Sequence, residues 1–340
     1  MRVLHHLRTA LDTAIYGPIY GVMNSLIRNP LPHDPEMLWQ GINQELPAVV
    51  NWLNAHYPPY FARKLLLSRK LRQEHHEGIE EHYDVSNEFY RLFLDERYMF
   101  YTCADFRTPQ DTLEEAQTNK ANFLLNLIDP RPGEKILDLG CGWGGMLRRI
   151  EEAVGSKEHL KGYTLSRRQL DHIQSNFGFD VELENFVTCD YPAAGYDKIY
   201  SIGSWEHVRH RDVAGLLRKL FDALKPGGRL VHHFFCPLVE TVPTWILTTQ
   251  LFFPGSFPPA YPTQVRLFEK AGFRISHQSI HDYRPTLRAW FDRLVANRER
   301  AIELVGLQTY NKYLVFFAMS WRFSDESYAM LVRYVLEKPR

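Results

Sequence analysis

Apolar residues recur at helical spacing near the start of the chain. Leu4, Leu7 and Leu11 begin a stripe that continues to Leu26, with arginines on either side of it. This pattern predicts a helical N-terminal extension over residues 1–75. The stripe favours a helix packed on its own domain. A basic amphipathic helix that rests on a membrane surface is the alternative.

From Gly133 onward the pattern changes to short apolar runs that alternate with amphipathic stretches. Alternating strands and helices are typical of a parallel, doubly wound sheet. We therefore predict an α/β, Rossmann-like fold with a seven-stranded, mostly parallel sheet. The predicted strands are residues 135–139, 160–165, 186–190, 198–202, 229–235, 273–283 and 328–337, with helices at 146–153, 167–177 and 213–224.

A glycine-rich turn follows the first predicted strand. Residues 138–145 read DLGCGWGG, and glycines let a backbone turn sharply and approach a ligand closely. The same letters satisfy GxGxxG, so a nicotinamide-dependent enzyme is an alternative. Two features favour S-adenosylmethionine instead. Asp138 stands two residues before Gly140, as in the DxGxGxG form of methyltransferases. The end of the second strand reads Tyr163-Thr164-Leu165-Ser166, without the acidic residue that a nicotinamide enzyme needs.

Charge and cysteine content narrow the classes of function. Forty basic and forty acidic side chains cancel, which disfavours a nucleic-acid binder. The four cysteines show no metal-ligand spacing, so we expect no metal site. Scattered cysteines are typical of a reducing compartment, and we expect a cytoplasmic protein, with peripheral contact at the inner face of the membrane as an option. The most apolar stretch, residues 241–254, is too short to span a bilayer.

Five motifs in order resemble the cyclopropane-fatty-acyl-phospholipid synthases and the related mycolic-acid methyltransferases. They are HYDVSN at 82–87, MFYTCA at 99–104, the glycine turn, GYTLS at 162–166 and SWEHV at 204–208. The resemblance runs from about residue 75 to the C-terminus. It implies a methyltransferase domain over residues 76–340, with a lid at 76–110, a Rossmann core at 120–235, and a substrate-covering insertion with C-terminal strands at 236–340.

The resemblance implies an S-adenosylmethionine site. Tyr101 and Thr102 would cover the methionine end of the cofactor, and Gly140 would contact it closely. Thr164 and Gln169 would reach the ribose. The implied cofactor-binding residues are Tyr101, Thr102, Asp138, Gly140, Gly142, Thr164, Gln169, Asp190 and Tyr191, the last two beside the adenine.

The resemblance also implies a bound bicarbonate that acts as the base. An alkene takes the methyl group without prior deprotonation, and a base then removes a proton from the carbocation. The matching positions are the backbone N–H groups of Cys103 and Phe234 and the side chains of Glu206, His232 and Tyr313. His233 is adjacent to His232, and only one of the two can face the site. The motif favours His232.

The predicted activity is therefore a C-methyltransferase of the cyclopropane-fatty-acid synthase type. The expected partner is an unsaturated lipid substrate, and peripheral membrane contact and a homodimer are options that the sequence leaves open. A plant-type benzylisoquinoline N-methyltransferase is the alternative, with Glu206 and His207 as its base. A catalytically idle lipid-binding or protein-binding module is a weaker alternative, because the glycine turn and the anion-binding positions are complete.

Overall fold

The computed structural model describes residues 35–43, 86–238, 252 and 259–340. Within these ranges seven strands form one sheet, in the order β3-β2-β1-β4-β5-β7-β6. The strands are β1 Ile136–Leu139, β2 Leu160–Thr164, β3 Asp180–Leu183, β4 Tyr196–Ile202, β5 Leu224–Pro237, β6 Arg274–His281 and β7 Ala329–Glu337.

Strands β1 to β5 pair in parallel, and β7 is antiparallel to both of its neighbours, β5 and β6. From β1 the chain adds β2 and β3 on one side of the sheet and then β4 and β5 on the other side. The carboxyl ends of β1 and β4 therefore flank a crevice, which is where ligands bind in such sheets. The prediction of a seven-stranded, mostly parallel Rossmann-like sheet is confirmed.

Helices cover both faces of the sheet. They are α1 Pro35–Asn43, α2 Asn87–Arg91, α3 Leu113–Ile128, α4 Gly145–Val154, α5 Arg167–Asn176, α6 His210–Ala223, α7 Tyr261–Lys270, α8 Arg284–Ala296 and α9 Arg298–Asp325. Helix α3 begins at a capping box, in which the Thr112 hydroxyl accepts from the backbone of Glu115 while the Glu115 carboxylate accepts from the backbone of Thr112. Helix α9 is broken at Gly306, whose backbone is not helical.

Three apolar clusters hold the layers together. On one face of the sheet, side chains such as Ile199 and Leu230 pack against α6 and α7. On the other face, Tyr200 and Val231 pack against α3, α4 and α5. A third cluster joins α1, α2, α8 and α9 into an aromatic-rich cap beside the sheet. The alternating strand pattern explains this division, because successive side chains point to opposite faces.

Helix α1 is the described part of the predicted N-terminal extension. Trp39 is buried and packs edge-on against Phe291 of α8 and Trp321 of α9. Arg288 of α8 lies over the Trp39 ring and pairs with Glu36 at 2.7 Å. This part of the extension therefore packs on the protein's own helices. The predicted apolar stripe from Leu4 to Leu26 lies outside the described residues, as do residues 239–251 and 253–258 of the predicted insertion.

Two local predictions were wrong. The third strand is Asp180–Leu183, and residues 186–190, which we predicted as that strand, form a turn. The turn is apolar because Phe186 and Val187 pack against the cluster on the α6 face, not because it extends. The fifth strand, which we predicted over residues 229–235, begins earlier, at Leu224, with an irregular register against β4 between Tyr196 and Lys198.

Candidate active site

The glycine-rich turn between β1 and α4 is packed on both sides. Gly140 has φ of +99°, a conformation that glycine adopts at low cost, and a Cβ there would lie 2.6 Å from the Cβ of Ser204. On the other side of the turn, a Cβ on Gly145 would overlap the carbonyl oxygen of Tyr98. The turn therefore contacts the segment after β4 and the segment before α3. Only glycine fits at both contacts.

A cavity lies at the carboxyl end of β1, between this turn and those two segments. The lining includes most of the residues that the sequence predicted for the cofactor. The predicted residues that line it are Tyr101, Thr102, Asp138, Gly140, Gly142, Thr164 and Gln169. The Thr164 hydroxyl donates to the side-chain oxygen of Gln169 at 2.7 Å, so these two polar groups reach the cavity as one bonded unit.

Asp138 is buried at the end of β1. Burial raises the pKa of its carboxyl group to about 8, and the neighbouring Tyr200 side chain opposes this rise. The raised pKa favours the neutral form of this carboxyl group at pH 7.

Asp190 and Tyr191 are not among the residues that line this cavity in the described part of the chain. The Tyr191 hydroxyl instead donates to the carbonyl oxygen of Phe186. The wall at this place is formed by residues 184–188, which directly follow β3. The sequence does not single out Glu184 and Asn185, because the predicted third strand, residues 186–190, begins after them. A polar pair at the carboxyl end of β3 is the signal that could have found them.

Glu206 lies in the 3-10 turn Trp205–His207 that follows β4. Burial raises the pKa of its carboxyl group to about 8, and hydrogen bonds from its own backbone and that of Phe235 oppose the rise. Gly203 has no side chain to separate this group from the cavity. A Cβ on Gly203 would overlap the Cγ2 of Thr102 and would lie 3.9 Å from Oε1 of Glu206. The missing Cβ therefore lets Thr102 and Glu206 approach the same place.

His232 and His233 point to opposite faces of β5, and both are fully buried. His232 bonds to Ser201 at 2.7 Å, and its ring lies 4.2 Å from that of Trp205 on the α6 face. The Nδ1 of His233 accepts from Arg333 at 3.0 Å on the α3 face. Arg333 also acts electrostatically on Cys103. The structure therefore brings His233 to the side of the sheet where Cys103 lies, and does not bring His232 there.

The backbone of β5 also distinguishes the neighbouring phenylalanines, Phe234 and Phe235, because their backbone groups point to different neighbouring strands. The Gly203 N–H donates to the His233 carbonyl, so His233 and Phe235 direct their backbone groups towards the end of β4. A hydrogen bond from the Phe235 backbone reaches the Glu206 carboxyl group. Phe234, the residue predicted from the motif, lies opposite Val332 in the ladder with β7. His233 and Phe235 have the two-residue spacing that was predicted for His232 and Phe234. The geometry favours the pair one residue later.

Cys103 is fully buried in the segment that covers the cavity. Burial raises the pKa of its thiol to about 12, so the thiol stays protonated at neutral pH. Its sulfur lies 3.4 Å from the carbonyl oxygen of Ala104 and 3.5 Å from that of Asp282. The side chain is therefore a packed thiol, and any role in binding an anion falls to the backbone.

Tyr313 lies on α9 in the aromatic cap. Its hydroxyl is 2.8 Å from that of Tyr90, and its ring lies 6.4 Å from that of Tyr101, which lines the cavity. Trp143 of the glycine-rich turn packs against Tyr90 at 4.7 Å. The aromatic rings thus connect Tyr313 to the cavity. The Tyr313 ring also packs against Phe89, Phe93 and Phe317 of the same cap.

Comparison with known proteins identifies the family. Residues 70–333 match the model of the mycolic acid cyclopropane synthetases. The chain belongs to this family. Cyclopropane mycolic acid synthase 3 of Mycobacterium tuberculosis is 32% identical over 291 residues, which cover 78% of this chain and 98% of that protein. Hydroxymycolate synthase MmaA4 of the same organism is 33% identical over 260 residues, covering 70% and 84%. The prediction of an S-adenosylmethionine-dependent methyltransferase of the cyclopropane synthase type is confirmed.

Solved structures agree with this assignment. Cyclopropane synthase MmaA2 from Mycobacterium tuberculosis superposes with a TM-score of 0.71 at 28% identity, over 78% of this chain and 98% of that one. Coclaurine N-methyltransferase superposes with a TM-score of 0.72 over 95% and 99% of the two chains, at 19% identity. The second likeness shows the shared fold alone. The family's members include synthases of different products, so membership leaves the product open.

Proposed function

We propose that this protein transfers a methyl carbon from S-adenosylmethionine to the double bond of an unsaturated lipid acyl chain, with a bound bicarbonate as the base. The observation that carries the proposal is Glu206, a buried carboxyl group held beside the cofactor cavity and the backbone of Phe235. A related protein, CmaA1, has been solved as a complex with S-adenosylhomocysteine, the demethylated cofactor, and CTAB.

The cavity fits the cofactor by the character of its walls. At Gly142, where φ is +55°, a Cβ would meet nothing within 4 Å, so it would project into open space in the cavity lining. A bound group would therefore lie directly on the backbone of the turn. Thr164 and Gln169 supply polar atoms further along the wall, and Glu184 supplies a carboxylate. Tyr101 and Thr102 close the other end of the cavity. These residues would hold the ribose and the methionine end.

The cofactor supplies an electrophilic methyl group on a sulfonium sulfur. The protein has to position an alkene against that methyl group, to keep water away and to accept one proton. Buried aromatic side chains of the cap pack behind Tyr101, which lines the cavity, so this wall of the cavity is apolar. They are Tyr90, Phe93, Trp143, Trp290, Tyr313 and Phe317. An unsaturated acyl chain suits such a wall because it offers no polar group that would need a partner.

The anion-binding site in this proposal consists of Glu206, Tyr313, the Cys103 backbone and the histidine on β5. With its pKa raised to about 8, the Glu206 carboxyl group is protonated at pH 7 and can donate a hydrogen bond to an anion oxygen. A negative charge held there stabilises the carbocation that develops after methyl transfer. A bicarbonate held by these residues would also supply the base for the proton whose loss closes a ring or leaves a branch. On geometric grounds we assign the histidine role to His233, and we assign to the Phe235 backbone N–H the role of holding the Glu206 carboxyl group beside the anion.

Removal and addition of bicarbonate test this proposal. Dialysis of the enzyme against bicarbonate-free buffer under CO₂-free gas should lower turnover of an unsaturated phospholipid, and added bicarbonate should restore it. Glu206→Met keeps the approximate size of the side chain but removes its hydrogen-bond donor, and it should lower kcat by orders of magnitude while the affinity for S-adenosylhomocysteine changes little. Tyr313→Phe removes one donor and should cost roughly 10²- to 10³-fold in kcat. Turnover that is unaffected by bicarbonate and by both substitutions would overturn the proposal.

One observation keeps an N-methyltransferase as the second candidate. His207, the neighbour of Glu206, lines the cofactor cavity. An imidazole there could accept a proton from an amine acceptor. An amine substrate would not require bicarbonate, so the same experiment separates the two functions. Methylation of an amine without bicarbonate, and its loss in His207→Ala, would favour this candidate.

Contact with a membrane stays a proposal. None of the helices in the described ranges is long and apolar enough to cross a bilayer. A lipid substrate nevertheless requires the enzyme to reach a lipid surface, a detergent micelle or a carrier. Sedimentation with anionic vesicles, compared between the full chain and the same chain at high salt, would measure the electrostatic part of this contact.

A further inference from the structure

A lysine is fully buried behind the segment that covers the cofactor cavity. Lys120 of α3 has no exposed surface, and its Nζ donates to the Thr102 hydroxyl oxygen at 2.7 Å. The same ammonium group lies 3.4 Å from the centre of the Phe100 ring. A lysine is rarely buried this completely, because the charged group loses its hydration.

One turn earlier on α3, Gln117 grips the same segment by a different chemistry. Its amide nitrogen donates to the carbonyl oxygens of Phe100 and Thr102, at 3.3 and 2.9 Å. Gln117 therefore anchors the backbone of the segment, whereas Lys120 bonds a side chain that lines the cavity. If anchoring were the only task at position 120, an apolar residue packed on Phe100 would be sufficient and less costly.

The chemistry of the ammonium group gives Lys120 a directional effect. A charged lysine has donors and no acceptor, so the Thr102 oxygen must accept from it. The hydroxyl proton of Thr102 is then left to donate elsewhere. A neutral amine has a lone pair, and it can accept that proton and draw the hydroxyl away from the cavity. The charge on Lys120 thus sets the direction of the Thr102 hydroxyl.

We propose that Lys120 is a positioning residue for cofactor binding, which in its charged form directs the Thr102 hydroxyl into the cavity as a donor to the carboxylate of the methionine end. This inference rests on the proposed function. Lys120 contacts Thr102 and Phe100, so its effect on the cofactor passes through Thr102.

The surroundings of Lys120 bring its charged and neutral forms close in free energy near neutral pH. The pKa of the ammonium group is lowered to about 7, because burial and Arg333 together outweigh the opposing effects of Asp95, Asp105 and Cys103. His233 also lies within electrostatic range of the ammonium group. Asp95 is itself occupied, because its carboxylate accepts from the backbone of Tyr98 and Phe100 at 2.7 and 2.8 Å.

A carboxylate that binds beside Thr102 favours the charged form of Lys120. Cofactor binding above pH 7 should therefore draw a proton onto the protein. The measurement is calorimetric titration of the wild-type enzyme with S-adenosylhomocysteine at pH 8, in buffers of different ionisation enthalpy. We expect net proton uptake by the wild type, and no uptake attributable to this site in Lys120→Met. The affinity of Lys120→Met should fall roughly 10- to 100-fold, the range for a hydrogen bond to a charged group.

A double-mutant cycle tests the route through Thr102. Thr102→Val should lose both the affinity and the proton uptake, and Lys120→Met/Thr102→Val should bind no more weakly than Thr102→Val alone. Gln117→Leu is the matched control, since it loosens the same segment and should leave proton uptake unchanged. If Lys120→Met does not fold, Thr102→Val alone still tests the prediction. Wild-type uptake in either variant, or additive losses in the cycle, would overturn the inference. Absence of S-adenosylhomocysteine binding by the wild type would overturn the proposed function as well.

Discussion

Alanine substitutions at three glycines distinguish the effects of backbone strain, steric overlap and loss of cavity space, because all three glycines have positive φ but different surroundings. Gly140, Gly142 and Gly155 all have positive φ, at +99°, +55° and +76°. Gly155 caps α4 far from the cavity lining, and a Cβ there meets nothing within 4 Å. Gly142 also has open space, but inside the cavity wall. Gly140 alone is in close contact, with Ser204. Alanine at each position therefore tests a different term.

The magnitudes follow from these contacts. An alanine in the left-handed region costs about 1–2 kcal/mol, and Gly155→Ala should lose about that much stability. Gly140→Ala adds an overlap in a packed region, worth about 1–3 kcal/mol more. Gly142→Ala should match Gly155→Ala in stability. Its methyl group occupies space that the cofactor needs, so its affinity for S-adenosylhomocysteine should fall roughly tenfold or more.

Urea unfolding and calorimetric titration on the same preparations measure both quantities. We expect Gly155→Ala to bind S-adenosylhomocysteine with unchanged affinity and Gly142→Ala to bind it more weakly with a modest loss of stability. Gly140→Ala should show the largest loss of stability. Equal stability losses in Gly140→Ala and Gly155→Ala would refute the close contact with Ser204. Wild-type affinity in Gly142→Ala would refute the position of the cofactor on this turn.

Two further predictions concern the buried groups on the α3 face. His233→Ala should lower kcat by orders of magnitude, whereas His232→Ala should chiefly reduce stability, measured by urea unfolding; a larger kcat loss for His232→Ala would return the role to that residue. Arg333 is fully buried and pairs with both oxygens of Asp105 at 2.7 and 2.8 Å. Asp105→Asn should therefore destabilise the protein by about 3–5 kcal/mol, because it leaves a buried charge without its partner; a loss below 1 kcal/mol would contradict this.

The sequence alone predicted the parts of the fold that have a strong local signal. The glycine turn, the adjacent strand and the positions of Thr164 and Gln169 were all identifiable, since glycine spacing and strand patterns are local properties. The third strand was placed too late because residues 186–190 are apolar for a tertiary reason. They pack under the α6 face without extending, and no local pattern distinguishes the two cases.

Adjacent histidines show a second limit. A motif places a histidine to within one residue, but a shift of one residue moves its side chain to the other face of the sheet. The register of β5 against β4 and β7 settles which face each histidine takes. Lys120 and Arg333 were missed for a related reason. Both are charged residues that a sequence pattern assigns to the surface, and only the folded structure brings Thr102 and Asp105 to them.

The most direct test of the central claim is to follow the methyl carbon. The enzyme is incubated with S-adenosylmethionine that carries a ¹³C-labelled methyl group, with vesicles of an unsaturated phospholipid and with bicarbonate. The account predicts that the labelled carbon appears in the acyl chain at the former double bond, with a mass gain of one labelled CH₂ group. A lipid fraction that stays unlabelled, while the label accumulates on the nitrogen of an added amine, would contradict it.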